Sequence, residues 1–162
     1  MTGGADADNF KFSTLAATKN ESGTGGTAAE MAASHDIIKD FKGQLDTITF
    51  DTATGTSAVG TAAVAGTASI TAQSVGTPGG LASFHISDDT LVEQITAVAT
   101  AMGSATAGEA AVWKNTDGNS YMYVTDGLAG VSTADMLIEL SGIQVGTGFT
   151  TTGTGLVITD IA

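Results

Sequence analysis

Residues 111–125, AVWKNTDGNSYMYVT, constrain the fold more tightly than any other stretch of this chain. Two runs rich in apolar and aromatic side chains flank Thr116-Asp117-Gly118-Asn119, and Asp-Gly is a strong tight-turn signal between antiparallel strands. The expectation is a hairpin, with Trp113 and Met122 as cross-strand partners on one face. The segment also holds the single Trp and both Tyr of the chain. Aromatics are only 6% of residues, while the 42% of hydrophobic residues includes many alanines. A core must therefore be assembled from few large side chains.

The rest of the chain reads as β-rich with one good helix. Phe10 and Phe12 alternate as a short, half-buried strand. Residues 19–26 read as a polar loop. Thr27 and Glu30 fit a capping box, and two readings stay open there: a single helical turn or an Ala-rich loop. Ile37, Ile38 and Phe41 form an apolar cluster, Gly43 marks a turn, and Ile48 and Phe50 alternate as a strand. Residues 51–78 are biased toward Thr, Ala, Gly, Ser and Val, and read either as small-residue strands and loops or as a linker. Within them, residues 67–75 alternate as a strand.

Residues 87–103 carry the helix. Ser87 suits the N-cap, and Asp88 and Asp89 suit the positive end of the helix dipole. Leu91, Val92, Ile95, Val98, Ala99 and Met102 fall on one face, and Gly103 is a C′ terminator. Residues 136–140 (MLIEL) follow the hairpin as the next strand of a meander, and residues 155–161 (GLVITDI) as another. The 22 Gly against one Pro suit many short strands joined by glycine turns.

With 17 acidic and five basic residues the formal net charge is −12. Nucleic-acid binding needs Lys and Arg, so that class is excluded. The acidity has a plain reading, solubility, and a functional one, cation binding. No cysteine is present, which excludes disulfides, thiolate metal sites and thiol catalysis. No apolar run approaches membrane-spanning length. Residues 1–12 are polar and acidic, unlike a secretory signal. Met1 leads at once into what reads as the end of a repeat, so an excised fragment with an added start Met is expected.

Catalytic readings fare poorly, and no enzymatic activity is expected. His35 and His85 are far apart and belong to no HExxH pattern. No GxSxG elbow and no phosphate-binding GxxxxGK[ST] loop occurs. Trp113, Tyr121 and Tyr123 read as core, with a sugar-binding platform as the minority alternative.

The acidic residues are placed more tellingly. Residues 3–11 align with the nonapeptide G-G-x-G-x-D-x-U-x, where U is a large apolar residue. Gly3, Gly4, Asp8 and Phe10 match, and Asp6 stands where the third glycine is expected. The glycines permit a tight turn, the aspartate supplies a carboxylate, and Ca²⁺ takes six to eight such oxygens. Asp36-x-x-x-Asp40-Phe41-x-Gly43-x-x-Asp46-x-Ile48-x-Phe50 follows.

These two elements in this order resemble the C-terminal end of RTX-type proteins, the glycine-aspartate repeat proteins exported by type I secretion. The downstream order of helix, GNSYMYVTDG, TADMLIELSGI and a final apolar strand is similar to C-terminal regions of RTX-type adhesins and S-layer proteins. The resemblance implies Ca²⁺ as cofactor, with Asp8, Asp36 and Asp40 as ligand candidates, Asp46 behind them and Asp6 as an extra ligand. It implies a mainly β fold: a short calcium β-roll stub, then a small β-sandwich or meander with one amphipathic helix. Residues 1–52 would close the roll, and residues 53–80 would be Thr/Ala/Gly-rich strands or linker. Residues 81–162 would form the meander, with its helix over 88–102 and the secretion region at the end. The implied role is a secreted, cell-surface assembly module that self-associates into a lattice or filament, is read by the type I secretion machinery and carries no membrane span. The alternatives are an adhesin or carbohydrate-binding module, or the non-catalytic half of a secreted hydrolase.

Overall fold

The computed structural model describes residues 1–12, 26–42, 45–50, 63–70, 81–103, 105, 107–143, 149–152 and 155–158. In chain order the elements are β1 (Asn9–Phe12), α1 (Ala28–Ser34), β2 (Asp36–Ile38), β3 (Thr47–Phe50), α2 (Leu91–Ala101), β4 (Ala110–Lys114), β5 (Ser120–Val124), β6 (Met136–Leu140), β7 (Phe149–Thr152) and β8 (Gly155–Ile158). The fold is mainly β. One sheet runs β1-β3-β8-β7 and the other β2-β6-β5-β4.

The second sheet is central because both of its faces are apolar. Val112, Met122, Val124, Met136, Ile138 and Leu140 point to one side, where Phe10, Phe12 and Ile48 of the first sheet meet them. Ala111, Trp113, Tyr121, Tyr123 and Leu137 point to the other, against Met31 of α1 and Ile95, Val98 and Met102 of or beside α2. The layers are therefore sheet, sheet and helices. Alternate side chains of a strand project to opposite faces, so a strand covered on both sides is apolar throughout. That accounts for the near-continuous burial of MLIEL and SYMYV.

The hairpin forms with a different register from the one expected. Trp113 lies opposite Tyr121, and Met122 lies opposite Val112. The connection runs from Asn115 to Asn119, closed by the Asn115 N–H on the Asn119 carbonyl at 2.9 Å, with Gly118 at φ 90°. Trp113 and Met122 consequently sit on opposite faces, since a shift of one residue reverses every side chain.

The helix expected over 88–102 starts at Leu91. Its N-cap is Thr90, whose hydroxyl accepts from the Glu93 N–H while the Glu93 carboxylate accepts from the Thr90 N–H. Ser87 is displaced from that role because Asp88 turns inward: it is buried and both of its carboxylate oxygens accept from the Gly66 N–H at 3.0 Å. Ile95, Val98, Ala99 and Met102 are buried as the periodicity requires, whereas Val92 is exposed. The Thr27–Glu30 box does start a helix, α1.

Ile38 and Phe41 enter the core, but Ile37 faces outward, as alternation along β2 demands. Of the strand expected over 67–75, the described residues show two isolated bridges, Val64–Thr67 and Ser69–Ser83, with Ala68 and Ile70 buried in the helix-side core; residues 71–75 lie outside the described residues. The polar loop at 19–25 and the turn at Gly43 lie outside them too.

Candidate functional site

The two acidic motifs meet at the start of the first sheet. β1 and β3 pair in parallel, Asn9 with Thr47 through Phe12 with Phe50. That register follows from matched sequence: each strand is preceded by an aspartate and carries an inward apolar residue at its second position, Phe10 and Ile48. Asp8 and Asp46 thus stand side by side, joined by the Thr47 N–H on the Asp8 carbonyl at 2.8 Å.

Each expected ligand can be placed. Asp46 is buried; one oxygen accepts from the Asp8 N–H at 3.0 Å and the other from the Lys42 N–H at 2.8 Å. Asp40 straddles the glycine pair, its two oxygens accepting from the Gly3 and Gly4 N–H groups at 2.9 Å each. The Lys42 ammonium donates to the Gly4 carbonyl. Asp8 packs against Gly3 so closely that a Cβ on residue 3 would stand 2.5 Å from its Oδ2, and that oxygen is buried with no hydrogen-bond partner among the described residues. Asp36 lies on β2, in the other sheet, and Asp6 is exposed in a bend.

The structure therefore brings Asp8, Asp40 and Asp46 to one turn region, leaves Asp36 in the other sheet, and holds Asp6 exposed in the bend between the glycine pair and Asp8. Carboxylates and a glycine carbonyl are the hard oxygen donors that Ca²⁺ takes, and Asp8 Oδ2 is the oxygen with an open position. As placed, Asp40 and Asp46 hold backbone N–H groups, and among the described residues no three acidic or His side chains converge on one point.

Other polar groups escaped the sequence reading. Asp135 is fully buried; it accepts from the Tyr123 hydroxyl at 2.6 Å and from the Asp126 and Ser132 N–H groups. Burial pushes its carboxyl up to about 6, against those hydrogen bonds and with some help from Asp126. His35 bridges α1 and β6: Nε2 meets Glu139 at 2.8 Å and Nδ1 meets the Ala32 carbonyl at 2.9 Å. Trp113 donates to buried Gln94. Ser132-x-x-Asp135 is a turn-capping pattern that hints at the first of these; nothing local marks the other two.

Trp113, Tyr121 and Tyr123 are all buried, stacked or bonded inside the helix-facing core. No ring face among them is open to stack on a sugar, so the platform alternative loses its residues. No helix among the described residues is long and apolar enough to cross a membrane. In comparisons with known proteins, no protein-family model matches the chain, and no curated protein matches it.

Proposed function

We propose that this chain is a non-catalytic, calcium-binding assembly and secretion module of an S-layer-like bacterial surface protein. The observation that carries the reading is the parallel, in-register pairing of β1 with β3, which sets the Gly3-Gly4 turn and Asp8 beside Asp40 and Asp46. Stacked parallel strands with glycine-aspartate turns at one end are the architecture that a calcium β-roll requires. Asp8, with its open buried oxygen, Asp40 and Asp46 are the residues that would hold the ion. On this reading residues 1–52 end the roll, and residues 81–162 form the body that faces other copies and the type I exporter. Calcium is scarce inside cells and abundant outside, so binding to the native state would couple folding to export.

Thermal unfolding followed by circular dichroism, first in chelator and then in millimolar calcium with magnesium as control, tests it. Calcium at about 100 times its Kd adds about 2.7 kcal/mol to stability, a rise of roughly 5–10 °C for a domain of this size. That rise should be calcium-specific and should vanish in Asp8→Asn. Absence of any shift would make the carboxylates turn-holding groups alone and remove the calcium part of the proposal. Light scattering on adding calcium tests assembly separately: a lattice module grows, whereas a monomer does not.

A further inference from the structure

A lysine is built into the glycine-aspartate turn at both of its ends. The Lys42 main-chain N–H donates to Asp46 Oδ2 at 2.8 Å, and Asp46 Oδ1 accepts from the Asp8 N–H at 3.0 Å. The Lys42 ammonium reaches across to donate to the Gly4 carbonyl. Gly4 is itself held from the other side, its N–H on Asp40 Oδ2 at 2.9 Å. Lys42 thus brings a positive charge to the residues that join Asp8, Asp40 and Asp46.

Two observations separate this ammonium from a plain tether. Asp8 Oδ2 is buried and has no hydrogen-bond partner among the described residues, so the ammonium leaves it without a donor. A buried carboxylate oxygen in that state is costly unless a cation or a donor reaches it. Beside the Gly4 carbonyl there is room: Gly4 stands at φ 118°, and nothing lies within 4 Å of the place a Cβ would take. A tethered ammonium brings one charge and at most three donors. A calcium ion brings two charges and takes six to eight oxygens, main-chain carbonyls included.

We propose that Lys42 is a tethered competitor for the cation: its ammonium holds the Gly4 carbonyl when the turn is free of metal, and Ca²⁺ must displace it to bind. The inference rests on the calcium reading above and adds the residue that sets the affinity. Lys42 stabilises the metal-free turn and weakens the metal-bound one. The site then stays closed on its own ammonium where calcium is scarce and fills only where calcium is abundant.

The test is calorimetric titration of the whole protein with calcium chloride, for the wild type, Lys42→Met and Lys114→Met. Lys42→Met keeps the aliphatic stem and removes the charge, and should lower the calcium Kd by about tenfold or more, since two charges a few Å apart interact strongly. Lys114→Met makes the same change in net charge on β4, three strand spacings from β2. That is roughly 14 Å, beyond the screening length of about 8 Å at physiological salt, so its Kd should move less than about twofold. Thermal unfolding adds a reading that a merely structural lysine would not move. Lys42→Met should melt below the wild type in chelator and gain more from calcium, whereas loss of a tether alone leaves the calcium increment unchanged. Lys42→Gln, which keeps a donor without the charge, carries the same test should the Met variant fail to fold. A Kd for Lys42→Met equal to or weaker than that of a calcium-binding wild type would overturn the proposal and leave the calcium reading standing. Equal tightening in Lys42→Met and Lys114→Met would overturn it as well, as an effect of net charge. Absence of calcium binding in all three proteins would remove the calcium reading and this inference together.

Discussion

The Trp113 indole N–H donates to Gln94 Oε1 at 2.9 Å, and both side chains are buried between α2 and the central sheet. Gln94 turns its amide nitrogen to the Asp88 carbonyl and the Asn115 side chain, each at 3.4 Å. One amide thus joins the start of the helix, the hairpin strand and the hairpin loop. Gln94→Leu leaves the indole N–H buried without a partner, which costs about 1–3 kcal/mol. Trp113→Phe in the same background should cost less than in the wild type, because the orphaned donor is gone. A denaturant double-mutant cycle measures this, and additive costs would mean the bond contributes nothing.

Helix α2 offers a direct choice between two caps. Thr90 and Glu93 exchange hydrogen bonds across the first turn, and Thr90 holds the Glu93 carboxyl below its usual range. Thr90→Ala should lower stability by about 1 kcal/mol. Ser87→Ala removes only a local bond to His85 and should stay within about 0.5 kcal/mol. Urea unfolding of the two variants separates them, and equal costs would contradict the cap position.

Two left-handed glycines differ in what surrounds them. Gly118, at φ 90°, has open space where a Cβ would stand, whereas at Gly127, φ 87°, a Cβ would meet the Ala107 backbone nitrogen at 2.9 Å. Gly118→Ala should cost about 1 kcal/mol for the backbone alone. Gly127→Ala adds a clash with main chain that cannot swing aside and should cost roughly 3 kcal/mol. The ranking is checked by thermal unfolding.

Both tyrosines of the chain have hydroxyls raised far above the ordinary phenol range. Burial is the main cause for each; Asp117 adds to it at Tyr121, and Asp135 at Tyr123. The unfolded chain ionises near 10 and the folded one higher, so their contribution to stability is present below about pH 10 and lost as pH rises beyond it. Absorbance at the tyrosinate band should stay flat through that region and rise only with alkaline unfolding. A separate early rise would mean that one hydroxyl is open to water.

Much of this arrangement was legible where the causes are local. The Asp117-Gly118 turn announced the β4–β5 hairpin and the alternation around Phe10 and Ile48 announced β1 and β3, while the Thr27–Glu30 box left a helical turn and a loop both open where the structure has α1. Trp113 was misplaced by one register step because the five residues 115–119 close on their own backbone bond, a detail of loop geometry. The helix start was misread because Asp88 is drawn to the Gly66 N–H, a group 22 residues away. Asp8 and Asp40 were legible from their motifs, but the sequence set Asp36 beside them and Asp46 behind, because it does not show that Asp36 falls on a strand of the other sheet; Asp135 was not legible, because its burial depends on Tyr123 and the loop closing over it.

By itself, the sequence determined which side chains of one strand share a face and which face of the 91–101 helix is apolar, since those follow from backbone periods. Only the tertiary structure decided that the 110–140 strands form a middle layer, covered by β1 and β3 on one side and by the helices on the other. It also decided which carboxylates lose water. Burial is a property of what packs from elsewhere in the chain, and an aspartate becomes an anchor or a proton site only once that packing is complete.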